Sequence, residues 1–196
     1  MQNHRRGLVW LTVPVLLVLN GCGYNRMVSL EENVTASWAQ VENVYQRRMD
    51  LIPNLVETVK AYAEHEQDTF AAVTEARSQA GGVMNIDENL LNDPAAFARF
   101  QLAQDSLGSA LQRLLMVTEN YPELKANQNF LALQDQLEGT ENRIAVERMR
   151  FNEAVRGYNT LIRRFPQVIV ARIAGFEAKP YFESASGAET APKVEF

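Results

Sequence analysis

From Asn127 to Phe165 apolar side chains recur at Phe130, Leu133, Leu137, Ile144, Phe151, Val155, Tyr158, Ile162 and Phe165. The steps are mostly three, four or seven residues, which puts the side chains on one face of a helix. At 1.5 Å per residue that helix is about 55 Å long, and it cannot bury its stripe alone. The rest of the chain carries matching stripes. Met27 to Arg48 sets Leu30, Val34, Trp38, Val41 and Tyr45 at steps of three and four, with Glu31, Glu32 and Glu42 toward solvent. Leu55, Val56, Val59, Tyr62, Phe70 and Val73 form the inner face of a further helix, expected to run to about Gln79 and to stop at Gly81-Gly82. Asp93-Pro94 is a start signal, a cap followed by proline at the first helical position. Phe97, Phe100, Leu107, Leu111, Leu114 and Val117 carry that helix to about Asn120, and Tyr121-Pro122 ends it.

The connections follow from what interrupts the stripes. Pro53 lacks an N–H and disfavours helical geometry at Ile52, while Asp50 can cap a new helix. Arg47 and Arg48 then complement the negative end of the helix before it. A break with reversal is expected here, with a kink inside one long helix as the competing reading. Val83 to Asp93 has no period and reads as a surface loop. After Phe165-Pro166, Gln167 to Phe176 can add one more apolar turn on the bundle end. The tail from Lys179, rich in Ser, Ala, Gly and Glu, reads as mobile. The only β-branched run, Val168-Ile169-Val170, has nothing to pair with. The fold class is all-α: a long antiparallel four-helix bundle, or a three-helix bundle with its first long helix kinked at Pro53. Three parts are expected: a signal peptide or membrane anchor over 1–21, the bundle over 22–176, and a mobile tail over 177–196.

The first residues change the picture most. His4, Arg5 and Arg6 precede the apolar run Gly7 to Leu19, the layout of a secretory signal. As a membrane span the run is short, about 20 Å of helix against ~30 Å of hydrocarbon, and Pro14 and Asn20 weaken it further. Leu19-Asn20-Gly21-Cys22 resembles a bacterial lipobox, which makes Cys22 the expected lipid attachment point. The alternative is an uncleaved single-pass anchor in the inner membrane with an incidental cysteine. Either way the bundle lies outside the cytoplasm, on the periplasmic side where there are two membranes.

Composition closes off several chemistries. The net charge is −5, and it becomes −7 without residues 1–21, which hold Arg5 and Arg6 and no acid. An acidic chain without a Lys/Arg cluster is a poor nucleic-acid binder, so no nucleic-acid partner is expected. Cys22 is the only cysteine, and His4 and His65 are the only histidines. A di-iron or di-manganese bundle would need Glu-x-x-His pairs on two helices, but Tyr62 precedes His65 by three and the last helix has no histidine. No metal, cofactor or catalytic residue is assigned.

Polar residues near the stripes are more informative. Arg47, Asp50, Asn54, Glu141, Asn142, Arg148, Asn152 and Asn159 form a candidate polar network that fixes helix register, or alternatively a surface that engages a partner. Arg143, Glu147, Arg150, Glu153 and Arg156 alternate in sign, as solvated faces do.

Several stretches together resemble the LemA family of bacterial envelope proteins. They are Tyr24-Asn25, Trp38, the run Gln46 to Lys60, Tyr62 to Glu66, Tyr121 to Asn127, Asn129-Phe130, Leu137 to Ile144, Phe151 to Val155, Tyr158-Asn159 and Phe165-Pro166. Phe151 stands where a tyrosine is expected, and the lipobox-like end departs from the more usual membrane helix. The resemblance implies a membrane-associated helical bundle outside the cytoplasm, with no established enzymatic activity. The reading is a non-enzymatic, membrane-tethered interaction or scaffold module whose partners are the membrane and another envelope protein. An enzyme using carboxylate and Asn groups between helices, and a carrier of an apolar ligand, are the alternatives.

Overall fold

The computed structural model describes the backbone of residues 3–86 and 90–183, and the side chains of 23–84 and 90–183. Among these residues six helices follow one another: α1 (Asn3–Lys60), α2 (Gln67–Ile86), α3 (Pro94–Thr118), α4 (Pro122–Lys125), α5 (Gln128–Arg163) and α6 (Gln167–Ala174). Among the described residues there is no strand. The protein is all-helical, as the stripes require.

α1 and α5 lie along each other in opposite directions. Gly23 sits beside Gln167, the Trp38 ring meets Phe151, and Arg48 reaches Glu141. α2 returns along the second half of α1, with Arg77 and Gly81 beside Met49, and packs chiefly on α3.

The reversal expected at Asp50–Pro53 is not there. α1 continues through Pro53 to Lys60, and its buried stripe runs Val34, Trp38, Val41, Tyr45, Arg48, Ile52, Leu55, Val59 at alternating steps of four and three. A proline inside a helix leaves the carbonyl four residues earlier without its donor. That carbonyl belongs to Met49, and Arg77 Nε of α2 donates to it at 3.1 Å. A tertiary contact thus supplies what the proline removes. The chain reverses instead at 61–66, where Glu64-His65-Glu66-Gln67-Asp68-Thr69 offers no apolar residue for a full turn of helix. Gly81-Gly82 does not stop α2, which runs on to Ile86. A Cβ on Gly81 would fall 2.8 Å from Met49 Cε, so the glycine lets α2 approach α1 closely.

The cap expected at Asp93 forms, and a second forms at Asn127. Asp93 accepts from the Ala95 N–H with Pro94 in the first turn, and Asn127 accepts from the Phe130 N–H to open α5. α6 ends at Gly175, whose left-handed φ of 77° turns the chain back toward the body.

The core has two parts. Toward residue 23 it is aromatic, with Trp38, Tyr45, Phe97, Phe100, Phe151 and Tyr158 buried together. Toward the 61–66 turn it is mainly aliphatic, with Ile52, Leu55, Val73, Leu107, Leu111 and Leu114. Between them lies a polar layer, Arg48 of α1 and Gln104 of α3, each at a core position and almost fully buried.

Candidate functional site

The seam between α3 and α5 gathers most of the unusual side chains. At its aromatic end the seam is filled by residues 176–183, an extended strap that follows Gly175. Phe182 is 6% exposed and lies among Trp38, Phe97, Phe100 and Phe151, with ring centroids 4.8 Å from Phe97 and 5.5 Å from Phe151. Arg148 covers its other side, the guanidinium carbon 4.6 Å from the ring centre.

An extended segment outside a sheet must find partners for its main-chain groups elsewhere. Here side-chain amides supply them. Asn159 Nδ2 donates to the Lys179 carbonyl at 2.9 Å, and the Lys179 N–H donates back to Asn159 Oδ1 at 3.0 Å. Asn152 grips Phe182 in the same way, at 3.0 and 2.9 Å. Gln101 of α3 repeats the arrangement with Glu183, at 3.0 and 3.3 Å, and Arg148 also donates to the Glu183 carbonyl at 3.0 Å.

The spacing explains the fit. Seven residues of helix from Asn152 to Asn159 advance about 10.5 Å, and three extended residues from Lys179 to Phe182 advance about 10 Å. One heptad on α5 therefore matches three residues of strap. Lys179 adds an ion pair to Glu31 of α1 at 2.9 Å and donates to Asn92 Oδ1 at 2.6 Å. The first residues of the segment expected to be a mobile tail are thus part of the fold; 184–196 lie outside the described residues.

Beyond Glu183 the same seam is open among the described residues. A cleft of about 390 Å³ is lined by Tyr45, Arg48, Gln104, Gly108, Glu141 and Arg148, among others. A second, of about 420 Å³, follows directly, lined by Leu111, Gln112, Leu115, Leu137, Glu141 and Asn142 with Gly108. The two share Gly108, Gln112 and Glu141, so they form one furrow. In its floor Arg48 Nη1 donates to Glu141 at 2.9 Å, and Nη2 donates to the Gln104 side-chain oxygen. Arg48 Nε and Gln104 Nε2 are buried donors with no partner among the described residues. Burial raises the Tyr45 hydroxyl above the ordinary tyrosine value, against the opposing pull of Arg148 and Arg48.

The eight expected polar residues divide sharply. Asn152, Asn159 and Arg148 grip the strap, and Glu141 pairs with Arg48. Asn142 is exposed on the furrow wall. Arg47, Asp50 and Asn54 do not join them: all three are exposed, and Asp50 only accepts from Gln46 one turn earlier. The expectation for Arg47 fails because α1 does not end there, and its neighbour Arg48 occupies the core position instead. Gln101, Gln104 and Phe182 were not anticipated. His65 is exposed in the reversal, and among the described residues no group of three His, Cys, Asp or Glu side chains is placed to hold a metal ion. Cys22 lies outside the residues with described side chains, and among the described residues no helix is long and apolar enough to cross a membrane.

The LemA family profile matches residues 37–196. Magnetosome protein MamQ of Magnetospirillum gryphiswaldense is 29% identical over 182 residues, covering 85% of this chain and 67% of its own length. Magnetosome proteins MamQ 2 and MamQ 1 of Paramagnetospirillum magneticum are each 28% identical over the same length and coverage.

Proposed function

The chain belongs to the LemA family, and from that footing we propose that it is a non-catalytic, membrane-tethered helical bundle of the bacterial envelope that holds another protein. The bundle is long and antiparallel, built on α1, α2, α3 and α5, and it is fastened through residues 1–22, by lipid on Cys22 after cleavage or by the apolar run itself. The relatives named as magnetosome proteins are consistent with a role at a bacterial membrane.

The observation that carries the reading is the α3–α5 seam. At the strap its amides and Arg148 grip main chain. Where the strap ends, the furrow continues with amides (Gln112, Asn142), buried donors (Arg48, Gln104) and apolar walls (Leu111, Leu115). That combination suits an extended polypeptide segment, which needs main-chain partners and pockets for alternate side chains.

A photo-reactive amino acid in place of Gln112, in the furrow, and in place of Glu75, exposed on α2, separates the cases. In intact envelopes position 112 is expected to yield one discrete adduct with another membrane-fraction protein, and position 75 none. Cross-links confined to this chain, or the same adducts from both positions, contradict the proposal. For the tether, Cys22→Ala is expected to abolish labelling by a radioactive fatty acid, and labelling that persists contradicts lipidation at Cys22.

A further inference from the structure

α6 and the turn before it leave an apolar face uncovered. Phe165, in the turn before α6, and Ile169 and Ile173 on it are 80%, 51% and 83% exposed, and the spacing of four sets Ile169 and Ile173 on one side of the helix. The opposite side of α6 buries Ala171 and packs Val170 on the aromatic core. Two large apolar side chains on one face of a short helix, with a third exposed in the turn just before it, call for a cover.

Only residues 1–30, which also carry arginine and no acid, match the charge around this face. From Ala154 to Phe176 there is no acid and there are four arginines, Arg156, Arg163, Arg164 and Arg172, in a protein of net charge −5. Arg163, Arg164 and Arg172 are exposed beside the apolar face.

Position in the fold names the cover. Gln167 Cγ lies 3.7 Å from a Cβ built on Gly23, and the Tyr24 and Phe176 rings meet at 5.6 Å. α6 therefore stands level with residues 23–24 of α1. The apolar run Gly7–Leu19 ends only four residues earlier, about 6 Å of helix, and Cys22 is adjacent. Whichever of the two enters the lipid, the α6 face is held at headgroup depth. An apolar face flanked by arginine is the pattern of a helix lying in a membrane interface. Tyr24, 45% exposed at the same level, is a residue type favoured there.

We propose that α6 with Phe165 is a second membrane contact, an interfacial helix that lays Phe165, Ile169 and Ile173 into a bilayer rich in anionic lipid and pairs Arg163, Arg164 and Arg172 with its headgroups. The contact fixes the bundle upright on the surface instead of leaving it to swing from a single tether. This rests on the membrane-tethered reading above.

The test uses the full chain reconstituted in vesicles of phosphatidylcholine and phosphatidylglycerol with brominated acyl chains. An environment-sensitive fluorescent amino acid replaces either Ile173 or Leu102, the latter 69% exposed on α3. The expected result is loss and blue shift of emission at position 173, and neither at 102. Adding Phe165→Glu or Arg164→Glu is expected to restore the emission at 173, while the protein still floats with the vesicles through its first residues. Flotation with unquenched emission at 173 overturns the interfacial contact and leaves the tether standing. Failure to float overturns both. Equal quenching in pure phosphatidylcholine overturns the anionic requirement.

Discussion

Follow the α3–α5 seam from one end of the molecule to the other and its character changes at Glu183. On one side Phe182 fills the gap among Trp38, Phe97, Phe100 and Phe151, and three side-chain amides take up the main chain of the strap. On the other side the same two helices stand apart over a furrow of about 390 and 420 Å³ with Arg48 and Gln104 in its floor. At the aromatic end the strap, a single extended chain, fills the gap between α3 and α5 with Phe182. The comparison teaches that one half of this seam takes an extended chain, the strap, while the other half is open among the described residues.

The largest way to break the closed half is Phe182→Ala. Truncating a buried phenylalanine costs about 3–5 kcal/mol where the cavity cannot collapse. Release of the strap limits the loss, so a value near the lower end is expected from urea unfolding. An effect under 1 kcal/mol would show that the ring adds little to the closure.

A smaller change tests the opposite region and leaves the seam alone. Arg77→Ala is expected to cost about 1–2 kcal/mol by leaving the Met49 carbonyl without a donor. In a Pro53→Ala background the restored N–H reaches that carbonyl, and the cost of Arg77→Ala should fall. Equal costs in both backgrounds would mean that Arg77 acts otherwise.

The smallest effect is set by pH. Burial raises the Tyr158 hydroxyl above its ordinary range, as it does Tyr45, and both belong to the closed half. Their protons stay on in the folded chain when the unfolded chain has lost them. Stability is therefore full below about pH 10 and declines above it, by up to about 1.4 kcal/mol per pH unit for each tyrosine. Tyr158→Phe should flatten that decline in alkaline melts; an unchanged slope would place the loss elsewhere.

Much of the helical plan could be read from the residues. The stripes of α3 and α5, the Asp93-Pro94 cap and the extra turn over Gln167–Ala174 are local signals, and local physics formed them. The α1 stripe also held the answer at Pro53. Its steps of four and three pass from Tyr45 through Arg48 to Ile52 without a slip, but the proline argues locally for a break. What outweighs it is Arg77, a partner 28 residues away that no local pattern reveals. The same holds for the site. Asn152 and Asn159 are one heptad apart beside the core, a readable sign of a polar ladder, yet the strap they grip lies in a segment whose composition alone reads as disordered. Tyr181 and Phe182 stand out within it, aromatic residues that such a tail does not need, and Phe182 is the one that is buried.

The seam account turns on residues 179–183 being held by their main chain. Hydrogen exchange of the individual amides in the folded protein measures this directly. The N–H groups of Lys179 and Phe182 donate to Asn159 and Asn152, so they should exchange far more slowly than in a free peptide. Asn159→Ala should speed Lys179 in particular. Exchange of both amides at unprotected rates in the unaltered protein would contradict the strap, and with it the reading of the seam as a place for extended chain.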